Sequence, residues 1–108
     1  MSAPRPGRPV RGSTTGRPLM AALDLLGRRW ALRVLWELRN GPVGARPLLE
    51  RCGRLSSSVL YERLRELQEA GLVQRDGQQW ALTALGTELD AALAPLEAWS
   101  RRWANSVR

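Results

Sequence analysis

Apolar residues recur at helical spacing in three short segments of the first half of the chain, each bounded by glycine or proline. The segments are residues 18–26, a stretch that begins near Arg28 and stops at residues 40–42, and residues 46–52. Their apolar positions are Leu19, Leu23, Leu26, Trp30, Val34, Leu35, Leu38, Leu48, Leu49 and Cys52. Three helices are therefore predicted, with Trp30 and Cys52 in the core.

A fourth helix has the clearest signals. Ser56 offers an N-cap hydroxyl for a helix over residues 57–70, in which Leu60, Leu64 and Leu67 form one apolar stripe. The other side chains point away from that stripe and are expected to meet solvent. They are Ser58, Tyr61, Glu62, Arg65 and Glu69, together with the charge neighbours Arg63 and Glu66.

A β-hairpin and a long last helix follow. Asp76-Gly77 is the predicted two-residue loop between strands at residues 72–75 and 78–82. Thr83 is the predicted cap of a helix over residues 84–104, and Pro95 is expected to kink it or break it in two. The apolar stripe of this helix is Leu85, Leu89, Leu93, Leu96, Trp99 and Trp103.

Taken in order, these elements predict a mainly α fold with a small β-hairpin wing, the winged helix-turn-helix. The third and fourth helices form the motif, and residues 73–82 form the wing. The exposed turns of the fourth helix suit the major groove of a double-stranded DNA operator. The candidate DNA-binding residues are Arg54, Ser57, Ser58, Tyr61, Glu62, Arg65 and Arg75. The alternative is an adaptor that binds a protein or a small-molecule ligand without DNA.

Charge favours the DNA interpretation. The chain has 17 basic residues, all Arg, against 10 acidic ones, for a net charge of +7. This balance attracts polyanions such as nucleic acid, although it also serves solubility.

The residue types present exclude most other chemistry. With no His and one Cys in 108 residues, a zinc site and an internal disulfide are not expected. Ser56, Ser57 and Ser58 have no His to activate them, so no enzyme activity and no cofactor is predicted. No apolar run approaches the roughly 20 residues of a membrane span, and the N-terminus lacks the apolar core of a secretory signal. A single-domain, soluble, cytoplasmic protein without a membrane partner is expected.

The N-terminal segment, residues 1–17, differs from the rest. It contains Pro, Gly and four Arg residues, with no acid and little apolar surface. Such a composition predicts a disordered arm outside the domain at residues 18–108. Arms of this kind can lie in a minor groove of DNA, but the sequence does not establish whether this arm contacts DNA.

Several segments of the chain resemble the HxlR family of bacterial winged-helix transcription regulators. They are residues 22–30, 55–60, 63–67, 70–73 and 82–86, and Trp99. The resemblance covers about residues 17–103 and implies a homodimeric, sequence-specific DNA-binding regulator. The operator sequence, and whether the protein represses or activates, are not implied.

Three positions depart from the family pattern. Many members have a Cys before the proline at the start of the first helix, where this chain has Arg17, so thiol sensing at that site is lost. Residues 44–45 are Gly-Ala where an Arg-Phe pair is common. The wing loop, residues 76–79, is shorter than usual, which limits its reach into a minor groove.

Five tryptophans in a chain of this size exceed what one small core needs. Trp99 and Trp103 lie one turn apart on the last helix, and we predict that they pack in a homodimer interface. The candidate interface residues are Leu19, Leu23, Leu89, Leu93, Leu96, Trp99 and Trp103. The alternative is that these indoles bind a flat aromatic effector at the interface.

Overall fold

The computed structural model of the chain describes residues 3–107. Its elements are α1 (Pro18–Leu26), α2 (Ala31–Leu38), β1 (Val43–Gly44), α3 (Ala45–Cys52), α4 (Ser57–Glu69), β2 (Val73–Asp76), β3 (Gln79–Leu82) and α5 (Ala84–Ser106). The predicted mainly α fold with a small wing is confirmed. The strands form one antiparallel sheet in the order β1-β3-β2.

The core lies between α2, α3, α4 and the sheet. It is built from leucines and valines, and helical periodicity assigns all of those on the helices to buried faces. Side chains with almost no exposed surface are Val34, Leu38, Leu48, Leu60, Leu64, Leu67 and Val73. Trp30 is only partly buried at the edge of this core, whereas Trp80 of the wing is buried within it.

The second helix begins later than predicted. Trp30 has a φ of 75°, in the left-handed region that residues other than glycine rarely adopt, so the helix cannot extend back to Arg28. Residues 27–30 instead form a turn between α1 and α2. This turn contacts α4 through ion pairs described below.

The sheet differs from the predicted hairpin in two respects. Strand β1 was not predicted, and it adds a third strand by pairing Val43 with Trp80. The register pairs Asp76 with Gln79, so the two-residue loop is Gly77-Gln78 rather than Asp76-Gly77. Gly77 has a φ of 63°, the sign that the primed turns of such hairpins require.

Helix α5 is one continuous helix, so the expected break at Pro95 is wrong, while the alternative, a kink at that residue, stays a prediction. Proline cannot donate a backbone hydrogen bond to the carbonyl of Ala91. Both residues lie on an exposed face, where water can satisfy that carbonyl. The helix starts close to the wing, because Gly86 packs against the backbone carbonyl of Leu72, where any side chain would collide.

The described part of the N-terminal segment forms local backbone hydrogen bonds and one contact to α4, and the disorder of this arm stays a prediction. Gly7 donates to the carbonyl of Gly16 at 2.9 Å, and a bridge joins Val10 to Ser13. Ala3 is buried, and its amide donates to the Glu69 carboxylate at 3.2 Å. Gly7, Gly12 and Gly16 have positive φ at the turns of this segment, a conformation that glycine adopts without steric cost.

Candidate nucleic-acid interface

The helix-turn-helix consists of α3 and α4 joined by residues 53–56. Gly53 adopts a φ of 87°, and buried Leu55 anchors the turn to the core. The Ser56 hydroxyl accepts the amide of Val59 at 3.2 Å, which confirms the predicted N-cap. These contacts fix where α4 begins and which of its faces points outward.

The outward face of α4 contains the predicted polar residues. Ser57, Ser58, Tyr61, Glu62 and Arg65 are all exposed, while the leucine stripe on the opposite side is buried. Within residues 3–107, the guanidinium of Arg65 forms no ion pair and no hydrogen bond. Over the described residues, the outward face of α4 therefore presents hydroxyls in its first two turns and one free cation, Arg65, in its third.

Two further candidate cations lie beside α4. Arg54, in the turn before α4, is exposed and forms no ion pair with any residue in the described part of the chain. Arg75, on β2, lies with its guanidinium carbon 5.0 Å from the centre of the Trp80 ring. Since Trp80 is buried, this stacking holds the Arg75 stem against the wing and limits the positions its charge can reach.

The sequence reasoning missed two residues of α4. Glu66 was expected at the surface, but it is 3% exposed and pairs with Arg28 and, at 2.8 Å, with Arg63. Arg63 also donates to the carbonyl of Arg29 at 2.7 Å. Because Arg28 lies 38 residues away in sequence, no local pattern could have revealed the pair.

A separate apolar surface runs along α1 and α5. Five of the seven predicted interface residues are between 49% and 68% exposed: Leu19, Leu23, Leu96, Trp99 and Trp103. The Trp99 and Trp103 rings stack with centroids 6.0 Å apart and planes at 9°. Leu93 is partly buried, and Leu89 packs against the core of its own chain. So much exposed apolar area on two helices is typical of an interaction site.

A groove of about 620 Å³ lies between α2 and α5. Leu32, Trp36, Leu93 and Leu96 provide apolar walls, and Arg39 stands at the rim with its guanidinium 3.4 Å from the centre of the Trp36 ring. The size and apolar lining are those of small-molecule sites.

Cys52 is the only cysteine, and its thiol is buried at the end of α3. Burial raises the pKa of this thiol, the nearby Glu37 carboxylate raises it further, and Arg33 opposes them. Fewer thiolates at neutral pH mean a less reactive sulfur.

Two other kinds of site are absent from the part of the chain that the structure describes. Over residues 3–107, no cluster of three or more His, Cys, Asp or Glu side chains could hold a metal ion. No helix in that same part of the chain is long and apolar enough to cross a membrane.

The fold and the exposed face of α4 define a winged helix-turn-helix protein. The profile of the HxlR-like helix-turn-helix family matches residues 25–108, so the chain belongs to that family, as the sequence resemblance indicated. The curated relatives that match the chain are named HTH-type transcriptional regulators.

Two relatives from Bacillus subtilis illustrate the similarity. The HTH-type transcriptional regulator YodB is 30% identical over 96 residues, which cover 82% of this chain and 86% of YodB. The uncharacterized HTH-type transcriptional regulator YvaP is 32% identical over 89 residues, covering 76% of this chain and 82% of YvaP. A crystal structure of quinone-bound YodB superposes with a TM-score of 0.75 at 32% identity, covering 78% of this chain and 96% of that one.

Proposed function

We propose that this protein is a homodimeric, sequence-specific DNA-binding transcriptional regulator without enzyme activity, acting in the cytoplasm. The observation that carries the proposal is the outward face of α4, where Ser57, Ser58, Tyr61, Glu62 and Arg65 are exposed together. An α-helix with such a face fits the major groove, where hydroxyls and guanidinium groups bond base edges. Glu62 adds an acceptor suited to the amino group of cytosine.

Contacts to the DNA backbone come from cations on either side of that helix. Arg54 lies at its N-terminal end, and Arg75 lies on the wing. Both would meet phosphates, which position the protein without reading sequence. The net charge of +7 supports this role, since it attracts the protein to any duplex.

The dimer forms through the apolar residues of α1 and α5. A two-fold symmetric interface would bury the same residues of both subunits, namely Leu19, Leu23, Leu96, Trp99 and Trp103. Charges along α5 favour an antiparallel pairing of the two helices, because Glu88 and Asp90 lie in its first half and Arg101 and Arg102 lie in its last turns. The dimer would hold two α4 helices about 34 Å apart, the spacing of successive major grooves.

A flat aromatic effector is part of the proposal. YodB has been crystallised with a quinone, and this chain offers the apolar groove between α2 and α5, with Trp36 in its wall. A soluble naphthoquinone should quench tryptophan fluorescence saturably, and Trp36→Leu should weaken that binding. Equal quenching of the native and the urea-unfolded protein would contradict a built site.

The experiment that tests the DNA function is selection of bound duplexes from a random pool, followed by footprinting on the strongest sequence. We expect a pseudo-palindrome whose half-sites are one helical turn apart. Recovery of unenriched sequence, or no retention of duplex at low salt, would favour the adaptor function instead.

A further inference from the structure

Glu66 is the one charged residue that is buried within residues 3–107. Each oxygen of its carboxylate meets a different guanidinium: Oε2 accepts from Arg28, and Oε1 accepts from Arg63 at 2.8 Å. The Nε of Arg63 donates in addition to the carbonyl of Arg29 at 2.7 Å. We refer to Arg28, Glu66 and Arg63 as the Glu66 cluster. It joins α4 at two positions to the turn between α1 and α2.

Backbone hydrogen bonds close that turn, among them Arg28 to the carbonyl of Leu25 at 3.3 Å, and Leu25 packs in the core, but the Glu66 cluster supplies its side-chain ion pairs to α4. Trp30 holds a left-handed φ of 75°, a conformation that the surrounding structure must impose on a bulky residue. Arg29 is exposed and lies over the Trp30 ring at 5.4 Å. On the far side of the turn, α1 presents Leu19 and Leu23 to solvent rather than to its own core. The Glu66 cluster is therefore the main polar connection that sets the direction of α1 relative to α4.

Buried ion pairs contribute little net stability, because removing two charges from water offsets most of their attraction. Their better-attested use is to select one arrangement among several packings of similar free energy. Leucine side chains alone tolerate small shifts between helices, whereas three charge-assisted hydrogen bonds have narrow geometric limits.

We propose that Glu66 is a positioning residue that fixes the angle between α4 and α1, and through α1 the spacing of the two α4 helices in the dimer. This inference rests on the proposed function. It adds that specificity depends on a residue that does not touch DNA. Glu66 would act by holding the outward face of α4 in register with both half-sites of the operator.

The test replaces the cluster with apolar residues of similar volume, as Arg28→Met, Arg63→Met and Glu66→Leu in one chain. The control is Arg8→Met, an exposed position whose substitution changes the net charge by the same one unit. Spin labels at Arg17→Cys and Ser58→Cys, in a Cys52→Ala background, report the distance from the start of α1 to the start of α4.

We expect the triple variant to keep its helix content while its distance distribution broadens or shifts by several ångströms, with the control matching the wild type. In DNA-binding assays, the ratio of its affinity for the specific duplex to its affinity for nonspecific duplex should fall at least ten-fold. Its preference for the selected half-site spacing over spacings changed by one base pair should fall to less than three-fold.

An unchanged distance distribution in the folded triple variant would overturn the proposal, as would unchanged discrimination between spacings. If the triple variant does not fold, Arg28→Met alone is judged by the same readouts. This variant removes the tie to the turn, and it keeps Arg63 paired with Glu66 and, at 3.5 Å, with Glu62 of the outward face of α4. Failure of the proposed function can be distinguished from failure of this inference. In the first case the wild-type protein would bind no preferred DNA sequence, while the distance between the spin labels would still show whether the Glu66 cluster positions α1 relative to α4.

Discussion

Truncating the two stacked indoles of α5 should convert the dimer into a monomer. Trp99 and Trp103 are 49% and 54% exposed in the single chain, which leaves roughly 100 Å² of each indole to be buried by a partner. At about 25 cal/mol per Å², each ring contributes about 2.5 kcal/mol, a value typical of interface hot spots. A two-fold interface contains each ring twice, so one substitution costs about 5 kcal/mol per dimer, or roughly several thousand-fold in Kd.

Sedimentation velocity at micromolar concentration measures this directly. The wild type should sediment as a dimer, and the double variant Trp99→Ala/Trp103→Ala should sediment near the chain mass of 12.1 kDa. Trp36→Ala is the matched control, since Trp36 is 44% exposed but lies on α2, outside the proposed interface. A double variant that stays dimeric with native helix content would refute the assignment of the interface to α5, and a monomeric wild type would refute the dimer.

Three other predictions follow from the same structure. Because Arg54 and Arg75 of both subunits should meet phosphates, a plot of log affinity for duplex DNA against log salt should have a slope steeper than about −3. A slope near zero in fluorescence anisotropy titrations would contradict these contacts. Because Cys52 is buried and its pKa is raised, iodoacetamide should label the native protein far more slowly than the urea-unfolded protein and leave DNA binding unchanged. Rapid labelling of the native protein, coupled to loss of DNA binding, would instead indicate a thiol sensor. Gly86→Ala places a methyl group against the Leu72 carbonyl and should lower the free energy of unfolding by roughly 1–3 kcal/mol in urea titrations, while Thr87→Ala on the exposed face should change it little. Equal stabilities of the two variants would show that α5 can move away from the wing.

Local signals predicted the helices well because each is encoded within a few residues. The hydroxyls of Ser56 and Thr83 cap α4 and α5 as expected, and Pro18 opens α1. Strand β1 could not be predicted in this way, because two residues form a strand only when β3 supplies the partner.

In the candidate interface, too, features encoded by nearby residues could be predicted, and features that depend on residues distant in sequence could not. Periodicity identified the outward face of α4 correctly, because exposure there follows from the leucine stripe on its other side. Glu66 was assigned to solvent because the contact that buries it comes from Arg28, in a turn whose shape depends on the unusual φ of Trp30. Charge partners distant in sequence leave no periodic signal, so the Glu66 cluster emerges only from the structure.

The central claim, that α4 reads base sequence, is tested most directly by one anisotropy experiment at fixed salt. Wild type, Arg65→Ala and Arg75→Ala are each titrated against the selected duplex and against a scrambled duplex of equal length. Arg65→Ala should weaken binding to the selected duplex by roughly 1–3 kcal/mol and reduce discrimination, whereas Arg75→Ala should weaken both duplexes about equally. Wild-type discrimination in a folded Arg65→Ala variant would contradict the claim.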